Sequence, residues 1–308
     1  MGYQKIFLQL ISGGGIRDLA RELKERDSTI QNRIERFSHW CQGFHDQARR
    51  WISYQGDLVT DGFESFSYSQ YHPNNINILV AKESQFLLSS GLCVLNRKGR
   101  MTDEQREYRD QLEKAPRGDT TRSMSNLLQW AAKVLDEKKI KETLILSDEH
   151  KCYPKAIGNA QKKAKVVLHH HRVSSKRARN YQNPLFAVNY LDRQFRKDLS
   201  DHTRETVQFS KDPSCMMSRM EIYSYFHNYC KPFRIKRGKE NRPEHWISHS
   251  QIAGLLPEIY VHLLVLSKGR RIFFHKTTLN KEEKKTWLHL WKNPGRTSKK
   301  YFPKYYKI

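Results

Sequence analysis

The sequence predicts a mixed α/β fold, in which a five-stranded sheet with flanking helices follows a helical N-terminal region. Two observations carry this prediction. Residues 57 to 90 contain three short segments rich in Ile, Leu and Val, separated by only a few residues, as in an antiparallel meander of strands. After residue 120 the apolar spacing alternates between helix and strand, which adds two further strands separated by helices.

The first predicted elements lie in residues 16 to 37, where apolar residues recur at helical spacing on both sides of a polar turn. This pattern is typical of a helix-turn-helix, with Ser28 as the N-cap of its second helix. We therefore predict a helix-turn-helix DNA-binding region in residues 1 to 50. Its second helix offers polar and basic side chains that suit a major groove and its phosphates: Thr29, Gln31, Asn32, Arg33 and Arg36. A simple amphipathic helical hairpin fits the segment equally well.

The predicted sheet lies in residues 51 to 230. Within it, residues 91 to 120 include an almost wholly polar and charged stretch, which indicates a solvated helical insertion. A helix over about 123 to 137, the strand ETLILSD, a helix that begins near Tyr153 and the strand KVVLH come next, and further helices follow. Three strands, helix, strand, helix and strand is the order that a ribonuclease H-like fold requires.

The charge of the chain indicates a polyanionic partner. Its 308 residues include 56 Lys and Arg and 32 Asp and Glu, which gives a formal net charge of +24. Residues 231 to 308 form a predicted basic C-terminal region, with 19 Lys and Arg, five Glu and no Asp. Aromatic residues are interleaved there, as in surfaces that bind nucleic acid by phosphate pairing and base stacking. A basic tail that packs on the core is the alternative.

Composition argues against several other classes of protein. No apolar run approaches the roughly 20 residues of a membrane-spanning helix, so we expect no membrane partner. The N-terminus lacks a secretory signal pattern, so we expect the protein in the cytoplasm. Five cysteines without CxxC spacing argue against a disulfide framework and a zinc knuckle, and they predict free, mostly buried thiols.

Two carboxylates stand where predicted strands end. Asp61 closes DLVTD, and Asp148 closes TLILSD. Two such groups side by side repel each other unless a cation lies between them. Mg²⁺ takes oxygen ligands, and two ions about 3.5 to 4 Å apart can activate an attacking hydroxyl and stabilise the leaving oxygen of a phosphodiester. The alternative is that both residues simply begin turns.

Three stretches resemble the catalytic blocks of DDE/DDD-type transposases of bacterial insertion sequences, in the same order along the chain. LVTDGFESFSYSQYHP is similar to the first block, in which a strand delivers an Asp. LILSDEHKCYPKAI is similar to the second, an apolar strand followed by an Asp and by a Tyr-Pro that opens a helix. The stretch from NPLFAVNYLDRQFRKD to YSYFHNYCKPFR is similar to the third, a basic helix with an acid and then a helix that ends in a His-Asn-Tyr run.

The resemblance implies a ribonuclease H-like core that cleaves and joins DNA with Mg²⁺ or Mn²⁺, as two bound ions. By position, Asp61, Asp148 and Asp192 become metal ligands, and Glu205 is a competing third catalytic acid. Near the cut, helix residues are implied to face the DNA backbone: Arg193, Arg196 and Lys197. The charged loop SSKRARN adds candidate backbone contacts, with a solvated loop as the alternative: Lys176, Arg177 and Arg179.

Three functions follow from these features. The first is a transposase that binds element ends and target as double-stranded DNA, as a homo-oligomer. The second is a catalytically inactive DNA-binding remnant, and the third is a ribonuclease H-like nuclease without strand transfer. A clustered set of carboxylates distinguishes the enzymes from the pure binding protein, which has no use for such a cluster.

Overall fold

The computed structural model describes the following parts of the chain: residues 2–54, 56–112, 118–203, 208–234 and 246–268. Within these ranges it contains one five-stranded mixed sheet with helices on both faces. Most of the predicted basic C-terminal region, from residue 231 onward, lies outside the described residues, and so does Glu205. None of the described helices is both long enough and apolar enough to cross a membrane.

The sheet confirms the predicted mixed α/β class. Its strands are β1 (Leu58–Phe66), β2 (Pro73–Ala81), β3 (Leu87–Val94), β4 (Glu142–Ser147) and β5 (Val167–Arg172). The spatial order is β3-β2-β1-β4-β5, in which β2 is antiparallel to both β1 and β3, and β4 is parallel to both β1 and β5. The predicted meander is therefore correct, and the order of strands is compatible with a ribonuclease H-like fold.

Helices surround the sheet in the described ranges. They are α1 (Gly2–Leu10), α2 (Ile16–Leu23), α3 (Asp27–Ala48), α4 (Asp103–Gln111), α5 (Thr120–Glu137), α6 (Cys152–Gln161), α7 (Phe186–Asp198), α8 (Pro213–Tyr225), α9 (His249–Ile252) and α10 (Pro257–Lys268). None of the residues of α4 is buried, which agrees with the predicted solvated insertion. Asp119 caps α5 by accepting hydrogen bonds from the backbone amides of Thr121 and Arg122.

Two apolar cores cover the two faces of the sheet. One contains side chains of α1, α2, α3, α5 and α6, and the other contains side chains of α7 and α8. Strand alternation sends Leu58 into the first core and Val59 into the second. All residues of β2 except its last are buried, because this strand is covered on both faces. All five cysteines are free, and three of them are buried, as predicted.

Residues 16 to 37 differ from the predicted helix-turn-helix. The N-cap of α3 is Arg26, so Ser28 lies inside the helix and the predicted Ser28 cap is wrong. Asp27 takes the first position of α3, where a carboxylate suits the positive end of the helix dipole. The helix then continues for 22 residues to Ala48, and its second half packs against α8. A short recognition helix is therefore not observed, and the structure does not confirm a helix-turn-helix.

A π-helical turn, Phe226–Cys230, extends α8 and anchors the beginning of β3. The Asn228 side chain accepts a hydrogen bond from the Leu87 amide and donates one to the Leu87 carbonyl, each 2.9 Å long. His227 and His249 donate in the same way to the carbonyls of Gln85 and Ser84. The turn between β2 and β3 is thus tied to two separate helical segments.

Candidate functional site

Asp61 and Asp148 lie next to each other in the sheet. In the parallel pair of β1 and β4, Leu58 lies opposite Ile145 and Val59 opposite Leu146. Continued for two residues beyond the last of these pairs, the same offset places Asp61 level with Asp148, and the negative charge of Asp148 acts on Asp61. Asp148 follows the end of β4, as predicted.

The prediction that Asp61 closes its strand is wrong. The strand continues to Phe66 because residues 61 to 66 pair with β2, so Asp61 lies in mid-strand.

Both carboxylates belong to the face of the sheet that α7 covers. Phe63, two residues after Asp61, stacks on Phe195 of α7 with ring centroids 5.6 Å apart. Because side chains alternate along a strand, Asp61 is in phase with Phe63. Asp148 comes two residues after Leu146, whose side chain is buried in the same core as Phe195.

Asp192 reaches this face from α7. The predicted packing of the helix is confirmed, because Leu191, Phe195 and Leu199 are fully buried. Asp192 is partly exposed, and its Oδ1 accepts a hydrogen bond from Arg196 Nε at 2.9 Å. Arg196 also donates to the Glu64 carbonyl of β1 at 3.2 Å, so it connects the Asp192 helix to the strand that carries Asp61.

The electrostatics of Asp61 link the three acids. Burial raises the pKa of Asp61 to about 6, and the negative charges of Asp148 and Asp192 raise it as well. Hydrogen bonds from the Gly62 amide at 2.7 Å and from the Tyr153 hydroxyl at 3.1 Å act in the opposite direction. Asp148 and Asp192 are therefore both close enough to act on Asp61, although burial is the largest cause of the raised pKa of Asp61.

The oxygen atoms of this pair suit a divalent cation. Both hydrogen bonds to Asp61 end on Oδ1, and the Asp148 Oδ1 accepts from the His150 amide at 2.9 Å. Within the described ranges no hydrogen bond reaches either Oδ2 atom, and carboxylate oxygens are the ligands that Mg²⁺ prefers. A cation would also relieve the repulsion on Asp61. The donor set of Asp61 and Asp148 thus fits the implied ion.

A complete metal cluster is not formed by the side chains as they stand. Among the residues that the structure describes, no three His, Cys, Asp or Glu side chains are grouped closely enough to hold a metal ion. Arg196 occupies Asp192 Oδ1 as its partner in an ion pair. The place of Asp192 as third ligand remains a prediction, and Glu205 cannot be compared with it because residues 204 to 207 are not described.

Sequence reasoning missed the role of Tyr153. It was recognised only as the start of a helix, which it is, since α6 begins at Cys152. In the structure its buried hydroxyl donates to Asp61. A signal was present, because a tyrosine beside an apolar strand has to find a hydrogen-bond partner for its hydroxyl when it is buried.

The predicted DNA-contacting residues fall into three surfaces. Asn32 and Arg36 are exposed on α3, whereas Thr29, Gln31 and Arg33 are only partly exposed. Arg33 forms an ion pair with Glu25 at 2.7 Å. On α7, Arg193 and Lys197 are exposed, in contrast to Arg196. The third surface is the loop after β5, in which Lys176, Arg177 and Arg179 are all exposed.

The histidine run 169 to 171 is not brought together as a metal site. His169 pairs with Glu142 at 3.1 Å, and His170 lies 2.8 Å from the Ser147 hydroxyl. Their neighbours differ because successive residues of a strand point to opposite faces.

In comparisons of the whole chain, no protein-family model and no curated protein matches its sequence.

Proposed function

We propose that the protein is a DDE/DDD-type transposase of a bacterial insertion sequence, which cleaves and joins DNA with Mg²⁺ or Mn²⁺. The observation that carries this proposal is the pair Asp61 in β1 and Asp148 directly after β4, the parallel neighbour of β1, with the Asp148 charge acting on the buried Asp61 carboxyl. Two carboxylates that repel each other disfavour the fold, and they have a chemical use as ligands of cations. The order of the strands supports a ribonuclease H-like core.

The residues of the chain have distinct parts in the proposed chemistry. Asp61 and Asp148 would hold divalent ions, with Asp192 as the third ligand. Such ions would supply a lowered pKa for an attacking water or hydroxyl and neutralisation of the leaving oxygen. Tyr153 and the Gly62 amide fix the orientation of the Asp61 carboxylate through their hydrogen bonds to Oδ1.

Two phosphoryl transfers follow each other in this proposal. Water attacks the phosphorus at the element end, the bond from phosphorus to the 3′ oxygen breaks, and that oxygen takes a proton and leaves as a 3′ hydroxyl. This hydroxyl then loses its proton and attacks a target phosphodiester. The bond to the target's own 3′ oxygen breaks, and element and target strands are joined.

The net charge of +24 supports double-stranded DNA as the partner, and the protein acts on it as a homo-oligomer in the bacterial cytoplasm. Exposed cations in the loop after β5 and on α7 contact phosphates near the cut: Lys176, Arg177, Arg179, Arg193 and Lys197. Arg196 is not among these cations, because its guanidinium donates to the Asp192 carboxylate. Residues of α3 contact the element ends: Thr29, Gln31, Asn32, Arg33 and Arg36.

The direct test uses purified protein and duplex DNA that carries the sequences flanking its own gene. We expect a nicked strand with a 3′ hydroxyl and, with a second duplex present, a joined product, both only with Mg²⁺ or Mn²⁺. Cleavage without joining would identify a nuclease instead. Binding without cleavage would identify an inactive DNA-binding remnant.

The third acid is tested by comparing Asp192→Asn with Glu205→Gln. We expect Asp192→Asn to slow metal-dependent cleavage by about 10²-fold or more, because it removes a charged ligand from the face that carries Asp61. Asparagine still offers an oxygen to Arg196, so the helix should keep its place. Glu205→Gln should cleave at a near-normal rate. If Glu205→Gln is the inactive variant, the site is Asp61, Asp148 and Glu205.

The proposed DNA-binding surface of α3 is tested with Arg36→Ala. Arg36 is exposed and has no ion pair in the described residues, whereas Arg33 is paired with Glu25. We therefore expect Arg36→Ala to reduce discrimination between end and random DNA by about 1 to 3 kcal/mol, and Arg33→Ala to have a smaller effect. Lys133→Ala, an exposed change on α5, is the control in the same titrations. Equal losses on both DNAs would make Arg36 a phosphate contact.

A further inference from the structure

The loop 174–182 begins directly beside Asp148. The Val173 amide donates to the carbonyl of Ser147 at 2.8 Å, which continues the pairing of β5 with β4. The Ser175 amide then donates to the carboxylate of Glu149 at 3.3 Å. The first residues of the loop are therefore attached to the segment that carries the second acid of the site.

The loop is held in shape by a buried residue at its end. Asn183 is only 5% exposed. Its side chain donates to the Ala178 carbonyl at 2.9 Å and accepts from the Leu185 amide at 2.8 Å. Its own amide donates to the Asn180 carbonyl at 3.0 Å. Because these bonds fix the backbone from inside, the loop presents its side chains outward in a defined arrangement.

Tyr181 stands out among the exposed aromatic side chains. It is 78% exposed, more than any other large apolar side chain in the described ranges. Other exposed tyrosines contact a second ring, as Tyr68 does with His72 and Tyr108 with Tyr71. Tyr181 makes no ring contact within the described ranges, and its hydroxyl accepts only a long hydrogen bond from Gln182, 3.5 Å. Both faces of its ring are therefore open for stacking.

The cations around Tyr181 indicate a nucleic acid as the ligand. Lys176, Arg177 and Arg179 are exposed, and none of them forms an ion pair with a described residue. Basic side chains combined with an open aromatic ring are the usual means of binding a strand with accessible bases. Inside a duplex, neighbouring base pairs cover both faces of each base, so the ring can stack only on an unpaired or extruded base.

The loop also leads to the third acid. It runs into α7, which begins at Phe186, and Asp192 lies six residues further on, about 9 Å along the helix axis. The first residues of the loop are bonded beside Asp148, and its last residues lead into the helix that carries Asp192. The loop that carries Tyr181 therefore connects the segments of these two acids.

We propose that loop 174–182 binds an unpaired nucleotide close to the scissile phosphate, through stacking of the base on Tyr181 and contact of the three cations with the backbone. This inference rests on the proposed function, because it takes DNA at the carboxylates as the substrate. In this proposal Tyr181 is a positioning residue. The protein then favours element ends whose base pairs near the cut are already open or open easily.

The test measures binding to an element-end duplex in which a single mismatch is moved along the sequence. Divalent ions are removed with a chelator, so that the result does not depend on cleavage. We expect wild-type protein to bind tightest when the mismatch lies within a few pairs of the cut. Tyr181→Ala should lose about 5- to 150-fold in affinity for that duplex and little for the fully paired one. Tyr181→Phe should bind like wild type.

Trp51→Ala is the matched control. Trp51 is 52% exposed. The carbonyl of the next residue, Ile52, accepts a hydrogen bond from Lys138, which lies shortly before β4. Trp51 is therefore near the first residues of β4, whereas Asp148 follows the last residue of that strand. This variant should behave like wild type. If Tyr181→Ala loses the same affinity for mismatched and fully paired DNA, or loses affinity for neither, the stacking role is overturned. If the wild-type protein binds neither duplex, the proposed function itself is refuted.

Discussion

Asp148→Asn is expected to abolish Mg²⁺-dependent cleavage of DNA, with a rate loss on the order of 10³-fold or more, while DNA affinity stays nearly unchanged. The change removes a negative charge from the proposed metal site but none of the basic groups proposed to contact phosphate. Cleavage rates at saturating protein and affinities in the absence of metal are the two measurements. A rate loss with a parallel loss of affinity would point to misfolding or to a binding role.

A matched variant separates chemistry from general effects of charge. Asp103→Asn makes the same substitution on α4, where the side chain is 95% exposed and the helix has no buried residue. It should cleave like wild type. Cleavage by Asp148→Asn at a near-normal rate would remove Asp148 from the site and leave the proposed chemistry without its second ligand.

Asp61→Asn is expected to stabilise the metal-free protein at neutral pH, by on the order of 2 to 3 kcal/mol in the free energy of unfolding. The pKa of Asp61 is raised from 3.8 to about 6, mainly by burial and further by Asp148 and Asp192. The folded protein thus holds this proton more tightly than the unfolded chain does. Its stabilising contribution is complete below about pH 4 and is lost as the pH rises through 6. Asparagine is always neutral and keeps an oxygen for Gly62 and Tyr153.

Urea titrations at pH 7.5 and pH 4.5 with a chelator present check this expectation. The advantage of Asp61→Asn should be full at pH 7.5 and should fall to about a third of that value at pH 4.5, where the carboxyl is protonated in the fold but still largely ionised in the unfolded chain. Added Mg²⁺ should stabilise wild type at pH 7.5 and not the variant, because only the wild type has the charged ligand. A variant that is less stable than wild type at both pH values would contradict the cause assigned to the pKa shift.

Much of the sheet could be predicted because its strands are short runs rich in Ile, Leu and Val. The last residue of β1 could not be predicted, because DGFESF has the composition of a turn. In the structure Gly62 lies inside β1, where a Cβ atom would come within 2.8 Å of Asn75 and 2.9 Å of Asn77. The glycine therefore permits a close approach of neighbouring side chains. A single sequence does not distinguish this use of glycine from its use in a turn.

The length of α3 could not be predicted for a different reason. The second half of this helix is buried, but it contains polar residues that are uncommon in an apolar core, such as Asp46 and Gln47. Asp46 pairs with Arg49 at 2.6 Å, and the guanidinium of Arg49 lies over the Trp130 ring at 4.2 Å. The burial of Arg49 thus involves Trp130, which is far away in the chain, and a local apolar pattern cannot reveal such a contact.

The candidate site was predictable to the extent that it depends on strand order. Asp61 and Asp148 could be paired because each follows an apolar strand segment, although Asp61 lies in mid-strand and not at a strand end. The attachment of Arg196 to both Asp192 and the Glu64 carbonyl depends on how α7 crosses β1, and side-chain geometry of this kind has no signature in the sequence. Arg196 was therefore assigned to DNA although it has a partner within the protein.

The anchoring of β3 by Asn228 has a consequence for self-association. Among the described strands, β3 and β5 are the two borders of the sheet, where a second chain could add a strand. The polar backbone groups of Leu87 at the start of β3 are already occupied by an amide side chain. At the other border, antiparallel pairing of two β5 strands would bring Lys165 of one copy towards Arg172 of the other, with repulsion between like charges. Copies of this protein that meet on DNA should therefore join through helices or loops and not through a continuous sheet.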